Sequence, residues 1–249
     1  MLAVGAALLV ALPIRADDAA ALKELLDKAI KAVGGADKTA KLASATMKGK
    51  GKVTEGGNTA EMSFDLSMQD FDRIRAELMV MEGGQSHQGV MVMSRDKVWF
   101  KDNDRNKVEE LPSEIAPVVH QFYLAMRLAS NPGALADKKE LTLGHGGEGK
   151  VDEKTAAILR VSRKDRSDIN IFYDTKSGLP LKVESQIKSP NETEEKKYEF
   201  QFSEFKEMDG VKHYSKIKIV RDGKDLMEME LSDVKFGEKF EANTFEKPQ

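Results

Sequence analysis

From Ala45 to Phe236 the chain is almost entirely a succession of short segments in which apolar and polar residues alternate, joined by Gly, Asn and Asp turns. Two segments show the pattern cleanly. In the first, Ala45, Met47 and Val53 share one side with Gly49 and Gly51, and Thr46, Lys48, Lys50 and Lys52 share the other. In the second, Met62, Phe64, Leu66 and Met68 oppose Glu61, Ser63, Asp65, Ser67 and Gln69. Period-two alternation predicts strands with one buried and one wet face. So long a series of them must curve around its own apolar face or leave it exposed.

Two stretches break the strand pattern. Leu22, Leu25, Leu26, Ala29, Ile30 and Val33 follow helical spacing, and Gly34-Gly35 closes that helix. Later, Ile115, Val118, Val119, Phe122, Met126 and Ala129 predict a second helix, with His120, Tyr123 and Arg127 on a more polar face. Pro117 fits its first turn, and Asn131-Pro132-Gly133 ends it in a sequence suited to a hinge. Strands then resume near Leu141, and Asp209-Gly210 and Asp222-Gly223 bracket one strand of an up-and-down meander. The expectation is α+β and mainly β: one domain over residues 17–249, an unclosed, curved antiparallel sheet with helices covering its concave face.

Length and charge narrow the class. At 249 residues a single β-rich domain can bury a large core. A net charge of -3, with glutamates interspersed among the lysines, gives no basic surface for a nucleic acid. There is no cysteine, which removes disulfides, thiol chemistry, thiolate metal sites and an acylated cysteine anchor. Residues 1–16 read as a signal peptide, an apolar Met1 to Pro13 followed by Ala16 before Asp17-Asp18. The stretch is shorter than the ~20 residues that span a bilayer. A periplasmic or secreted protein is expected.

Catalytic chemistry finds little support. Gly144 to Lys150 matches the opening of a phosphate-binding loop, but Val151 stands where Ser or Thr should hold magnesium, and no helix follows. A glycine-rich surface hairpin is the simpler reading. His87, His120, His145 and His213 have no metal-binding spacing, and the carboxylates sit among lysines in turns. No catalytic residue, metal or cofactor is assigned. The methionines are a softer clue: Met47, Met62, Met68, Met79, Met81, Met91 and Met93 crowd the first half of the sheet. Such side chains either fill an ordinary core or line a cavity for variable apolar shapes.

Several segments together resemble the periplasmic LolA/LolB-like superfamily of outer-membrane lipoprotein carriers. They are the helix Leu22 to Val33, the turn-plus-aromatic Ser94-Arg95-Asp96-Lys97-Val98-Trp99-Phe100, and Phe172 to Pro180 with its Gly178-Leu179-Pro180 junction. Phe205 to Val211 and the terminal Phe245-Glu246-Lys247-Pro248 complete the set. The resemblance implies a non-enzymatic, monomeric carrier or binder of lipoprotein acyl chains or another apolar ligand, with transient membrane-protein partners. The ligand-lining residues it implies are Phe64, Leu66, Met68, Met91, Met93 and Trp99 from the sheet, with Val119, Phe122 and Met126 from a helical lid. The alternative is an exported structural or interaction module with a solid core. One departure stands out: the carriers have an Arg-Pro pair at the end of the second strand that helps hold the lid, and here that stretch is Gln69-Asp70-Phe71.

Overall fold

The computed structural model describes residues 16–135, 139–164, 166–189 and 192–249. The expected leader lies outside them except for Ala16. Among the described residues three α-helices, α1 (Ala16–Ala32), α2 (Ala36–Thr39) and α3 (Ala116–Ser130), accompany thirteen strands. Strands β1 (Ser44–Glu55), β2 (Asn58–Gln69), β3 (Arg73–Glu82), β4 (Gln85–Ser94), β5 (Lys97–Asp102) and β6 (Lys107–Glu110) precede α3. After it come β7 (Leu141–Val151), β8 (Lys154–Arg163), β9 (Ile169–Asp174), β10 (Pro180–Ile187), β11 (Lys196–Met208), β12 (Val211–Arg221) and β13 (Lys224–Phe236).

All the strands form one sheet in the order β6-β5-β4-β3-β2-β1-β13-β12-β11-β10-β9-β8-β7. Every neighbouring pair is antiparallel. Within each half, neighbours in the sheet are neighbours in sequence. β1 and β13 join the halves, and β6 and β7 are the two edges, which do not pair with each other. The connection from β6 to β7 must therefore cross the sheet from one edge to the other, and α3 is that crossing.

Register shows which face is buried. Ala45 pairs with Met68 and Phe236, Met68 with Ile74, Ile74 with Met93, and Met93 with Val98. In the other half Ile219 pairs with Phe200, Phe200 with Val183, and Val183 with Ile171. These side chains form one cluster with Leu25, Ala29 and Val33 of α1 and Leu124, Ala125 and Leu128 of α3. The helices thus pack on the inner face of an unclosed sheet, because their apolar stripes and the sheet's apolar side have only each other to cover them.

Two glycines show how tightly the parts approach. A Cβ at Gly51 of β1 would lie 2.2 Å from the Glu228 carbonyl oxygen of β13, next to a register shift between Lys48 and Gly49. The bare backbone lets the two halves bend together there. At Gly178, φ is +74° and a Cβ would lie 2.8 Å from the Lys28 carbonyl, so the Gly-Leu-Pro junction is where α1 docks. The Lys28 ammonium also donates to the Thr175 carbonyl in the same turn.

Two segments differ from the sequence expectation. Gly144 to Lys150 forms no loop or hairpin tip: it lies inside edge strand β7, with a register irregularity between His145 and Glu148, and the turn falls at Asp152-Glu153. The short strand β6 was not expected, since its Lys-Val-Glu-Glu sequence carries one apolar residue. Beyond β13, Phe245 is buried, packs edge-on to Phe240 at 5.2 Å, and the Gln249 carbonyl accepts from Lys101 Nζ at 2.5 Å. No helix among the described residues is long and apolar enough to cross a membrane.

Candidate functional site: the inner face beneath α3

Topology positions α3, and its sequence decides how it sits. Phe122 meets Phe200 edge-on at 4.9 Å between ring centroids and Tyr198 at 6.2 Å, both on β11. Val119 and Met126 pack against the same apolar cluster, as do Leu66 and Met91, while Phe64, Met68 and Met93 are buried within it. Eight of the nine residues expected to line a ligand thus belong to the one apolar cluster on the inner face of the sheet.

Trp99 is the exception. It pairs with Val92 and Glu110, whereas Met91 and Met93 pair with Phe100 and Val98, so Trp99 faces the outer side. Its indole Nε1 donates to Glu110 Oε2 at 3.1 Å. Strand alternation forces this result: in β5 the residue between Val98 and Phe100 cannot share their face. The methionines divide in the same way, since Met79 and Met81 point outward and are 38% and 48% exposed.

The helix face read as polar is in fact buried. Tyr123 is 3% and Arg127 2% exposed. Arg127 Nη2 donates to the Leu42 carbonyl at 2.6 Å and Nε to the Asp70 carbonyl at 3.3 Å. Tyr123 Oη donates to the Arg73 carbonyl at 3.3 Å. On the other side of the helix, Gln121 Nε2 donates to Ser185 Oγ at 2.9 Å and to the Ser167 carbonyl at 3.0 Å. Polar side chains therefore tether α3 to both halves of the sheet, satisfying carbonyls at strand ends that burial would otherwise leave unpaired. The signal was available: Arg127 is the one Asp, Glu, Lys or Arg in α3, and a helix that apolar is covered on most sides.

Burial also shifts the titrating groups around this network. Desolvation pushes the Tyr123 and Tyr214 hydroxyls up to about 12, despite the opposing charge of Arg127. It holds His213 down to about 4, with the Tyr214 carbonyl hydrogen bond opposing and Arg127 assisting. His213 Nδ1 lies 2.8 Å from that carbonyl. His213 Nε2 and Arg127 Nη1 have no hydrogen-bond partner among the described residues.

The expected hinge is packed as well. Asn131 and Pro132 are buried, and a Cβ at Gly133 would lie 2.5 Å from Thr39 Oγ1 of α2. The carboxyl-terminal end of α3 is thus the anchored one. Its amino-terminal half borders a cavity of about 730 Å³, walled by Phe71, Ala116, Pro117, His120, Leu124 and Leu141 and rimmed by charged side chains. Phe71, Leu124 and Leu141 belong to the same apolar cluster as the residues under α3. The volume falls in the ~300–1,000 Å³ range of small-molecule sites. No cluster of His, Asp or Glu suited to a metal ion occurs among the described residues.

No family model matches the chain, and no curated protein does. Solved structures do. A DUF1329 family protein from Desulfovibrio piger superposes with a TM-score of 0.58 at 17% identity, over 90% of this chain and 97% of that one. A LolA superfamily protein from Nitrosomonas europaea gives 0.58 at 13% identity, over 91% and 97%. A domain from Vibrio parahaemolyticus, described as an outer membrane lipoprotein-sorting protein, gives 0.55 at 12% identity, over 91% and 97%. The unclosed antiparallel sheet, the helices on its inner face and these superpositions together identify the fold of this chain as LolA-like.

Proposed function

We propose that the protein is an exported, non-enzymatic binder or carrier of lipid acyl chains or another apolar ligand, working as a monomer that meets membrane proteins transiently. The cavity beside α3 carries this reading, because its apolar wall is continuous with the cluster under the helix. A chain entering there gains about 0.8 kcal/mol for each CH₂ it buries, so ten methylenes gain about 8 kcal/mol. Lifting Val119, Phe122 and Met126 off the sheet forfeits about 1.5–3 kcal/mol apiece if each is fully uncovered. The two sums are comparable. Such a near-balanced exchange suits a carrier, which must release its cargo as well as load it.

A second reading is supported by the packing itself. Eight of the nine candidate lining residues already belong to one packed apolar cluster, as in an exported interaction module with a solid core. Native mass spectrometry of protein purified from the periplasm, with titration of a fluorescent fatty acid, separates the two. Co-purified lipid or saturable binding supports the carrier, and a protein that stays empty and binds nothing supports the solid core.

A further inference from the structure

We propose that the cavity beside the amino-terminal half of α3 is a head-group site, taking the carboxylate or phosphate of a single-chain amphiphile whose tail runs into the apolar cluster. The inference rests on the carrier reading and adds the chemical class of the cargo. The cavity is two-sided in character. Phe71, Leu124 and Leu141 give it an apolar wall, while Arg95, Arg163 and Arg166 stand at its rim. The arginines come from distant parts of the chain: Arg95 from the turn after β4, Arg163 from the end of β8, and Arg166 from just beyond it. They meet because α3 draws the two outer parts of the sheet to the same place.

The kind of cation is informative. Arginine supplies ten of the chain's 39 basic residues, yet all three at this rim are arginines. A guanidinium offers a planar pair of donors matched to a carboxylate or phosphate, which an ammonium does not. The side chains of Arg95 and Arg163 form no ion pair among the described residues. Asp72, Asp96 and Glu140 also line the cavity and oppose an anion. Asp72 is partly neutralised, with its Oδ1 3.8 Å from Arg73 Nε.

A second observation lies deeper in the wall. His120 Nε2 is buried and has no hydrogen-bond partner among the described residues. An unpaired buried polar atom is costly unless something occupies the site beside it. A ligand head oxygen becomes such a partner when the His120 ring, which lines the cavity, turns Nε2 towards it. Burial, and then the charges of Arg163 and Arg166, lower the pKa of this imidazole.

The test uses the delipidated full-length mature protein and three probes of equal tail length, dodecanoate, dodecyl phosphate and dodecanol, titrated below their micelle concentrations. One or both anions should bind at least about tenfold more tightly than dodecanol, a difference of about 1.4 kcal/mol. The anion that does so distinguishes carboxylate from phosphate cargo. The double variant Arg95→Gln, Arg163→Gln should bring the anions to the alcohol's affinity and leave the alcohol unchanged. Both side chains are exposed, so the fold should tolerate the change. A variant-free readout is added salt, which should weaken the anions and spare dodecanol. Equal binding of all three probes would overturn the head-group site alone. Binding of none would overturn the carrier reading with it.

Discussion

Arg127 ties α3 to the approach to β1 and to the end of β2. Its guanidinium is buried, has no carboxylate beside it among the described residues, and is held by the carbonyls of Leu42 and Asp70. Asp70 follows the last residue of β2, so the helix donates and the strand end accepts. Arg127→Ala leaves the buried Leu42 carbonyl and the part-buried Asp70 carbonyl without these donors and should cost about 2–3 kcal/mol of stability, measured by denaturant unfolding. An unchanged midpoint would show that the tether is dispensable. His213 gives a pH signature. Its folded pKa of about 4 lies below the ordinary 6.5, so the unfolded chain binds the proton more readily. The stability this contributes, about 3 kcal/mol, is fully present above pH 6.5 and is lost as pH falls towards 4. Unfolding of wild type and His213→Gln from pH 4 to pH 8 should show a shallower acid slope in the variant. Superimposable profiles would assign the slope to other groups.

Among the elements, β1 and α3 have opposite designs. β1 depends on having no side chain at Gly51, and a methyl there meets the carbonyl of Glu228 rather than a flexible tip. Gly51→Ala should therefore cost about 1–3 kcal/mol through a forced shift of β1 against β13, read from its thermal melt. A melt equal to wild type would mean the β1–β13 junction relaxes freely. α3 is anchored at its carboxyl-terminal end and borders the cavity at the other, so any opening should start at the Pro117 end. Phe122 lies between, against Phe200 and Tyr198. Phe122→Asp should abolish binding of the dodecyl probes while circular dichroism still reports the folded sheet. Loss of the cooperative melt as well would make the helix an integral part of the core, because an unpaired buried charge is costly.

At the scale of the molecule, the chain starts its sheet in the middle, builds one half outward, crosses by α3 to the far edge and returns to the middle. A covering helix is thus a consequence of connectivity. It also distinguishes the two faces, since the inner one carries the apolar cluster and the outer one carries the chain's single tryptophan. Trp99 emission should therefore stay unchanged when an apolar ligand binds, whereas Phe122→Trp should respond. A ligand-induced shift in native Trp99 emission would place binding on the outer face.

By itself the sequence determined the strands other than β6 and the glycine-rich part of β7, the two long helices, the antiparallel class and the residues that share each strand face. Those properties follow from local periodicity, and Met91 and Met93 in β4 or Ala45 and Met47 in β1 needed nothing else. The same alternation, read across the hairpin, would have placed Trp99 opposite Val92 and away from Met93. What only the tertiary structure decided was relational. Tyr123 and Arg127 look solvent-facing on a helical wheel and are buried because α3 is enclosed by both halves of the sheet, where strand-end carbonyls need donors. Asn131-Pro132-Gly133 has the composition of a hinge and is fixed because α2 packs on it. Arg95, Arg163 and His120 share no sequence pattern at all, and they border one cavity because the connection between the two edges must cross the inner face.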